Sequence, residues 1–232
     1  MLNVVNLSKT FTMHIRGGKK ILSFKNVSFS AAKGEFIGVT GPSGIGKSSL
    51  LKCIYRTYLP TEGDIWYTDS TGKEYNLSSA DDHTVLKLRR NELGYISQFF
   101  HVIPRVSALE ILSGALISRG QDRQASIERA KELLERMNIS PSLWDMFPST
   151  FSGGEKQRLN IIHAIITRPR LLMLDEPTAS LDPKTRHEVV NLILELKSEG
   201  TAMIGVFHDY DTLNKLADSR IDLKEGRGCV YA

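Results

Sequence analysis

The sequence predicts an α/β fold whose core carries an additional β layer and a helical insertion. Three observations support this fold class. A glycine-rich loop at residues 41–48 joins a short apolar strand pattern to a helical pattern. Two later apolar runs, residues 171–174 and 203–207, have the length of buried strands and are separated by a helical segment. The first forty residues alternate between apolar and polar side chains, as β-strands do.

Strand patterns dominate the first hundred residues, apart from a helix predicted directly after the glycine-rich loop, at residues 48–58. A turn is predicted at residues 16–20, and residues 70–72 carry the composition of a hairpin turn. The predicted strands in this part of the chain are residues 2–11, 21–29, 35–40, 63–67, 75–77 and 93–97.

Helical patterns dominate from residue 107 to about residue 146, where apolar residues recur at helical spacing. A further helix is predicted at residues 183–199. Asp182 is its predicted N-cap, Pro183 occupies the first helical position, and Gly200 follows its end.

The glycine-rich loop matches the phosphate-binding pattern of two glycines four residues apart followed by Lys and Ser. Glycines allow backbone N–H groups to converge on an anion at the start of a helix. Lys47 would neutralise charge on the β- and γ-phosphates of a nucleotide, and the Ser48 hydroxyl would bind Mg²⁺. The loop residues are Gly41, Pro42, Ser43, Gly44, Ile45, Gly46, Lys47 and Ser48.

Two acidic residues follow the apolar run at residues 171–174. In nucleotide hydrolases with such a loop, an aspartate at the end of a buried strand supports the coordination of Mg²⁺, which is the role predicted for Asp175. Glu176 could orient or deprotonate the water that attacks the γ-phosphate. Acids at strand ends usually face solvent, but the upstream loop favours the functional interpretation.

A second glycine-rich element is Phe151-Ser152-Gly153-Gly154-Glu155. Ser152 and Glu155 have the spacing of a capping box, so a helix is predicted to begin here with its N–H groups facing outward. Two glycines in a first turn cost about 1 kcal/mol each relative to alanine. Close approach to a phosphate ligand would offset that cost.

Composition limits the partners. The net charge is +4 without a long basic run, which indicates a solvated surface and no nucleic-acid partner. The two cysteines, Cys53 and Cys229, form no disulfide framework and no metal cluster. The longest apolar stretch, residues 159–166, is too short to span a bilayer. The sequence therefore predicts a cytoplasmic protein without direct membrane insertion.

Together these motifs resemble those of ATP-binding-cassette (ABC) nucleotide-binding domains, and the resemblance covers essentially the whole chain. In the family's terms, the loop at residues 41–48 is Walker A, Asp175 ends Walker B, Glu176 is the catalytic acid and residues 151–155 are the signature. The remaining family motifs are matched by Gln98 of the Q-loop, by Ser180, Leu181 and Asp182 of the D-loop, and by the switch histidine His208.

The resemblance implies a P-loop NTPase of ABC type with a RecA-like core, an antiparallel β subdomain and a helical subdomain. The chain would be a single domain, residues 1–232. Residues 1–97 and 156–232 would approximately form the core and the β layer, and residues 98–155 the helical subdomain.

The family also implies roles for individual residues, with ATP and Mg²⁺ as ligands. Phe11 would stack on adenine, and Ser49 would join the loop residues in binding ATP. Lys47, Gln98, Glu176 and His208 would form the catalytic set. Mg²⁺ would be held by Ser48 and Gln98, with Asp175 acting through its coordination shell.

Domains of this family pair head to tail, which implies a second ABC subunit, either an identical chain or a related ABC protein. The signature residues Ser152, Gly153, Gly154 and Glu155 would then close on ATP held by Walker A of the other subunit.

Four segments are similar to the PhnL-type ATPases of the bacterial phosphonate carbon–phosphorus lyase system: residues 58–63, 98–110, 148–155 and 205–209. This resemblance implies an ATPase of alkylphosphonate catabolism that associates with soluble lyase subunits. One alternative is the ATPase subunit of a transporter of the lipoprotein-release or macrolide-export type, with a separate permease. The other is a nucleotide-gated structural clamp with negligible turnover, against which Glu176 and His208 argue.

Overall fold

The computed structural model describes residues 1–13, 18–98, 104–179 and 181–224, and the backbone of residues 227–231. Its strands are β1 (Leu2–Met13), β2 (Lys19–Ala31), β3 (Phe36–Thr40), β4 (Glu62–Thr68), β5 (Glu74–Asn76), β6 (Leu93–Ile96), β7 (Leu171–Asp175), β8 (Ala202–Val206), β9 (Ser219–Lys224) and β10 (Arg227–Tyr231). Its helices are α1 (Lys47–Ile54), α2 (Asp82–Asn91), α3 (Ala108–Ile117), α4 (Arg123–Arg136), α5 (Pro141–Trp144), α6 (Gly153–Ile165), α7 (Pro183–Ser198) and α8 (Tyr210–Leu216).

Within the described residues the strands form one sheet in the order β5-β4-β1-β2-β10-β9-β3-β8-β7-β6. One half is parallel, with β6, β7, β8, β3 and β9 running in the same direction. The other half is antiparallel and contains β1, β2, β4 and β5. The halves meet where β10 runs beside β2. The predicted α/β core with an antiparallel β layer is therefore confirmed.

The parallel strands are covered on both faces, as β7 shows. Its five residues are all buried. Leu171 and Met173 join an apolar cluster that includes α1 and the β layer. Leu172 and Leu174 join a second cluster that includes α3, α4, α6 and α7. Because successive side chains of a strand point to opposite faces, β7 connects the two halves of the core and its carboxyl end is fixed in place.

Most predicted elements are present in the described residues, including the hairpin of β4 and β5 and the helices between residues 107 and 146. The predicted N-cap of α7 is confirmed, since the backbone N–H of Thr185 donates to the Asp182 carboxylate at 3.0 Å. The predicted turn at residues 16–20 lies partly outside the described residues. Its last two residues were assigned wrongly, because Lys19 and Lys20 pair with β1 and belong to β2.

The prediction that the helix after the glycine-rich loop extends to Tyr58 was wrong, because α1 ends at Ile54. Arg56 has a φ of 66°, in the left-handed region that often ends helices. Its guanidinium donates to the backbone carbonyls of Leu77 and Ala80. The helix therefore stops where a tertiary contact stabilises a conformation that helical residues do not adopt.

Replacing Gly205 of β8 with alanine should destabilise the core. A Cβ at this position would lie 2.6 Å from the ring of Phe36 and 2.9 Å from the ring of Phe207. Overpacking a core usually costs about 1–3 kcal/mol, so we expect the free energy of unfolding to fall by this amount. Urea titration measures the loss. Gly114→Ala is the matched control, because a Cβ there on α3 would have no heavy atom within 4 Å. The control should be neutral or stabilising by up to about 1 kcal/mol, and equal losses in both variants would contradict the steric explanation.

In the described part of the chain, every helix is too short or too polar to cross a membrane.

Candidate functional site

The glycine-rich loop connects the carboxyl end of β3 to the first residue of α1, as its sequence predicts. Gly46 is the N-cap of α1 and has a φ of 111°. A Cβ at Gly46 would lie 2.6 Å from the hydroxyl and 2.7 Å from the carbonyl oxygen of Ser23. Both the backbone conformation and the contact with β2 therefore require glycine here.

Lys47 lies across the loop. Its ammonium group donates hydrogen bonds to the carbonyl oxygens of Gly41 at 2.8 Å and Pro42 at 2.9 Å. A positive charge is thus held directly beside the amino end of α1, where the helix dipole also favours an anion.

Ser48 is linked to the end of β7. Its hydroxyl donates to one carboxylate oxygen of Asp175 at 2.7 Å. The Tyr95 hydroxyl donates to the other oxygen at 2.8 Å. Burial, together with the Asp175 charge, raises the pKa of Tyr95, so this hydroxyl keeps its proton and remains a donor. Asp175 is 3% exposed, and its carboxylate is consequently fixed by two hydroxyl groups.

Sequence reasoning missed Tyr95. A signal existed, because a tyrosine in a buried strand needs a partner for its hydroxyl. The strand β6 pairs in parallel with β7, which places Tyr95 opposite Met173.

The Glu176 carboxylate contacts two other predicted residues, Gln98 and His208. Its Oε2 atom accepts a hydrogen bond from the Gln98 side-chain amide at 3.2 Å. The same oxygen lies 2.9 Å from Nε2 of His208. The Glu176 side chain is 13% exposed, whereas that of His208 is 67% exposed. The Glu176 backbone has a φ of 54°.

These residues surround a cavity of about 450 Å³ at the amino end of α1. Phe11 is one of the lining residues. The Phe11 and Tyr58 rings meet edge to face with their centres 5.3 Å apart, and the Lys9 ammonium lies 4.8 Å from the centre of the Phe11 ring. Ile21, Leu22 and Ser23 of β2 also line the cavity and were not predicted, although Phe11 pairs with Ile21 across the first hairpin. The predicted residues in the lining are Phe11, Ser43, Gly44, Gly46, Lys47, Ser48, Ser49, Gln98, Glu176 and His208.

Gly41, Pro42, Ile45 and Asp175 are outside that lining. Gly41 has a φ of 135°, and a Cβ there would lie 2.7 Å from the Leu223 carbonyl oxygen. Gly41 therefore packs closely against Leu223 and Ile45. Asp175 does not line the cavity itself but accepts a hydrogen bond from Ser48, which does.

The signature segment lies apart from this cavity, at the amino end of α6. The predicted capping box is confirmed: the Glu155 backbone N–H donates to the Ser152 hydroxyl, and the Glu155 carboxylate accepts from the Ser152 backbone at 2.8 Å. These hydrogen bonds hold the pKa of Glu155 below its usual value. Gly153 is exposed, and a Cβ there would meet no heavy atom within 4 Å. Nothing within the described chain requires glycine at this position for steric reasons.

Helix α6 also holds the two strand ends together. The side-chain amide of Gln157 donates to the Pro177 carbonyl at 3.1 Å, and that of Asn160 donates to the Ser97 carbonyl at 2.7 Å. Ser97 directly precedes Gln98. Sequence reasoning did not assign a role to Asn160, although a buried amide within the apolar stretch at residues 159–166 itself indicates a hydrogen-bonded contact.

The D-loop is only partly described. Leu181 is 6% exposed and belongs to the helical cluster of the core, and Asp182 caps α7. Ser180 lies outside the described residues, as do residues 99–103 after Gln98.

Comparisons with known proteins identify a family and several relatives. The family model described as ABC transporter matches residues 24–179. The lipoprotein-releasing system ATP-binding protein LolD of Rickettsia conorii is 35% identical over 93% of this chain and 94% of its own length. The phosphonates import ATP-binding protein PhnC of Wolinella succinogenes is 36% identical over 97% of this chain and 81% of its own length.

One solved structure of similar fold is the dimeric post-hydrolysis state of the ATP-binding cassette MJ0796 bound to ADP and Pi. It matches with a TM-score of 0.87 and 31% identity over 98% of this chain and 96% of that chain. The same cassette is known from Methanocaldococcus jannaschii. With the phosphate-binding loop, the paired acids and the family match in place, the chain belongs to the ABC transporter family and is an ATP-binding ATPase.

Proposed function

We propose that the cavity at the amino end of α1 is where this ATPase binds and hydrolyses Mg·ATP, with Lys47, Gln98, Glu176 and His208 as the catalytic set. The observation that carries this proposal is the convergence of Gln98 and His208 on one oxygen of Glu176, at the mouth of a phosphate-binding loop. Glu176 accepts the proton of the attacking water, Gln98 orients that water, and His208 contacts the γ-phosphate.

The residues present fit a magnesium ion. Mg²⁺ prefers oxygen ligands and usually combines protein oxygens with substrate phosphates and waters. The Ser48 hydroxyl and the Gln98 side-chain oxygen supply such atoms, and Asp175 holds the Ser48 hydroxyl at 2.7 Å. When bound, Mg²⁺ neutralises charge on the phosphates. The described residues contain no group of three or more His, Cys, Asp and Glu that could hold a metal ion by itself, so we propose a site completed by ATP.

Phe11 is proposed as the platform for adenine. We expect Phe11→Ala to weaken ATP binding by about 1–3 kcal/mol, the usual value of stacking between a base and an aromatic ring. Because the phosphate contacts remain, the maximal hydrolysis rate should change much less than the KM for ATP. Steady-state kinetics measures both. Tyr58→Leu is the control for the edge-to-face contact that supports the Phe11 ring, and an unchanged KM in Phe11→Ala would remove Phe11 from the site.

We propose further that two ABC subunits close head to tail on ATP. The signature residues are outside the cavity of their own chain, and the exposed Gly153 has no steric role there. An approaching phosphate would use the free space above that glycine. The similar MJ0796 cassette is dimeric with ADP and Pi, which supports the same arrangement here.

For the process served, we propose a cytoplasmic component of the phosphonate carbon–phosphorus lyase system that acts together with soluble lyase subunits. The support is the sequence resemblance of residues 58–63, 98–110, 148–155 and 205–209. The first of these segments offers the exposed side chain of Leu59, and exposed Met146 and Phe147 directly precede the third. Such apolar side chains on the surface are available to a partner protein.

This proposal is tested by recovering partners from cells of the source organism grown on methylphosphonate as the sole phosphorus source. Tagged Glu176→Gln protein with Mg·ATP should recover soluble lyase subunits, and Lys47→Ala protein shows whether recovery depends on nucleotide. Phosphate-grown cells are the control. Recovery of an integral membrane permease without lyase subunits would contradict the proposal.

A transporter ATPase is the second candidate, since the ATP-binding proteins compared above release lipoproteins or import phosphonates. The same experiment separates the two functions. Under this alternative, a permease is recovered without lyase subunits, and the ATPase activity of the chain rises when that permease is added in detergent or lipid.

A further inference from the structure

A second concave site lies away from the ATP cavity, between α2, β6, α3 and α6. It has a volume of about 250 Å³ and shares no lining residue with the ATP cavity. Three arginines, Arg89, Arg90 and Arg119, line it together with His163. This group is called the arginine cleft below.

The three guanidinium groups are held by backbone carbonyls. Arg89 donates through Nε to Tyr55 at 2.9 Å and its guanidinium lies 4.4 Å from the centre of the Tyr55 ring. Arg119 donates through Nη1 to Thr167 at 2.7 Å, and Arg90 donates to Ser118. Each of these bonds engages one nitrogen of a group that carries five N–H donors. The arginines are thus positioned by the fold without being neutralised by it.

The charge of the cleft is positive. Among the described residues its lining contains no Asp or Glu. The negative charge of Glu92 is close enough to raise the pKa of Arg119. However, the Glu92 carboxylate accepts hydrogen bonds from the hydroxyl groups of Tyr67 and Ser70 and forms an ion pair with Arg170. Burial and the charge of Arg90 lower the pKa of Arg119, which still leaves it protonated.

His163 adds shape and polarity without adding charge. Desolvation by the surrounding protein lowers the pKa of its imidazole below the usual value, which favours the neutral ring at neutral pH, although part of the side chain is exposed. The positive charge therefore comes from two arginines at the end of α2 and from Arg119, which follows α3. Like charges brought together in a partly desolvated cleft are unfavourable until an anion joins them.

We propose that the arginine cleft binds a tetrahedral oxyanion, either phosphate or the phosphonate group of a small molecule. Guanidinium forks match the oxygen pairs of such groups and form short, charge-assisted hydrogen bonds with them. The volume fits a small ion of this kind. The site is inferred from the arginines alone, and only the phosphonate probe depends on the proposed function.

The test measures binding of inorganic phosphate and of methylphosphonate by ³¹P NMR and isothermal titration calorimetry. The protein is Glu176→Gln saturated with Mg·ATP, so that the position of the γ-phosphate in the ATP cavity is filled. ATP affinity is measured in the same sample. Failure of the ATP site is therefore distinguished from failure of the cleft.

We expect one saturable site for which Arg119→Gln and Arg89→Gln each raise the Kd by about tenfold or more, since each removes a charged donor. Arg119→Lys, which keeps the charge but loses the fork, should have an intermediate effect. Arg123→Gln on the exposed start of α4 is the matched control and should leave the Kd unchanged. Tighter binding of one probe identifies phosphate or phosphonate as the ligand.

Three results would overturn the proposal: no saturable binding of either probe, binding that Arg119→Gln leaves unchanged, or equal binding of acetate. The last would identify the cleft as a site for a carboxylate side chain of a partner protein.

Discussion

Replacing Glu176 with glutamine is expected to lower the rate of ATP hydrolysis about 10²–10⁴-fold, the usual contribution of a general base. Glutamine has nearly the same shape and can still accept a hydrogen bond from Gln98, but it cannot take a proton from water. ATP affinity should change little, because the phosphate-binding loop and Phe11 are untouched. Single-turnover kinetics and equilibrium binding of ATP measure the two quantities separately.

The same variant should accumulate as an ATP-bound dimer in size-exclusion chromatography with Mg·ATP and remain monomeric with ADP. Glu128→Gln, on the exposed face of α4, is the matched control and should hydrolyse ATP like the unchanged chain. Equal hydrolysis rates in Glu176→Gln and the control would leave Glu176 without a catalytic role, and negligible rates in both would favour a structural clamp. A strictly monomeric Glu176→Gln protein would contradict self-pairing and would direct attention to a different ABC subunit.

Lys47→Ala should mainly weaken the binding of ATP. Its ammonium spans the phosphate-binding loop through bonds of 2.8 and 2.9 Å, and in the proposed complex it neutralises phosphate oxygens. Hydrogen bonds to charged groups contribute about 1.5–3 kcal/mol, so we expect ATP to bind roughly 10–150-fold more weakly. Calorimetric titration with Mg·ATP measures this loss.

Lys52→Ala is the control on the same helix, because Lys52 lies outside the cavity lining. Its ammonium group lies 5.7 Å from the centre of the Tyr58 ring. The ATP affinity of this variant should be unchanged. If Lys47→Ala bound ATP as tightly as Lys52→Ala, the charge of Lys47 would contribute nothing to recognition of the phosphates.

The parts of the fold that the sequence predicts well are those with short-range causes. Gly46 must adopt a positive φ before a helix, Ser152 and Glu155 form a capping box across three residues, and Asp182 caps α7. Each of these follows from the local chain alone. The convergence of Gln98, Glu176 and His208 was inferred from family resemblance, since they lie far apart in the sequence.

The features that sequence reasoning missed depend on contacts between distant segments. Tyr95 is significant only because β6 lies beside β7, which places its hydroxyl against Asp175. The early end of α1 follows from contacts of Arg56 with residues more than twenty positions later. The arginine cleft combines Arg89 and Arg90 of α2 with Arg119, which follows α3, so its charge is assembled only when distant segments pack together.

The backbone of Glu176 shows how its position is used. In the described chain, seven residues other than glycine have a positive φ, and three of them are Asn, which tolerates that region. Glu176 is the one carboxylate among the seven. A non-glycine residue held there costs about 1–3 kcal/mol, and its backbone N–H is anchored to the Val206 carbonyl at 3.0 Å. A glycine at position 176 would adopt this conformation without strain. The native state is therefore less stable than it could be, because this position holds a carboxylate that lines the cavity.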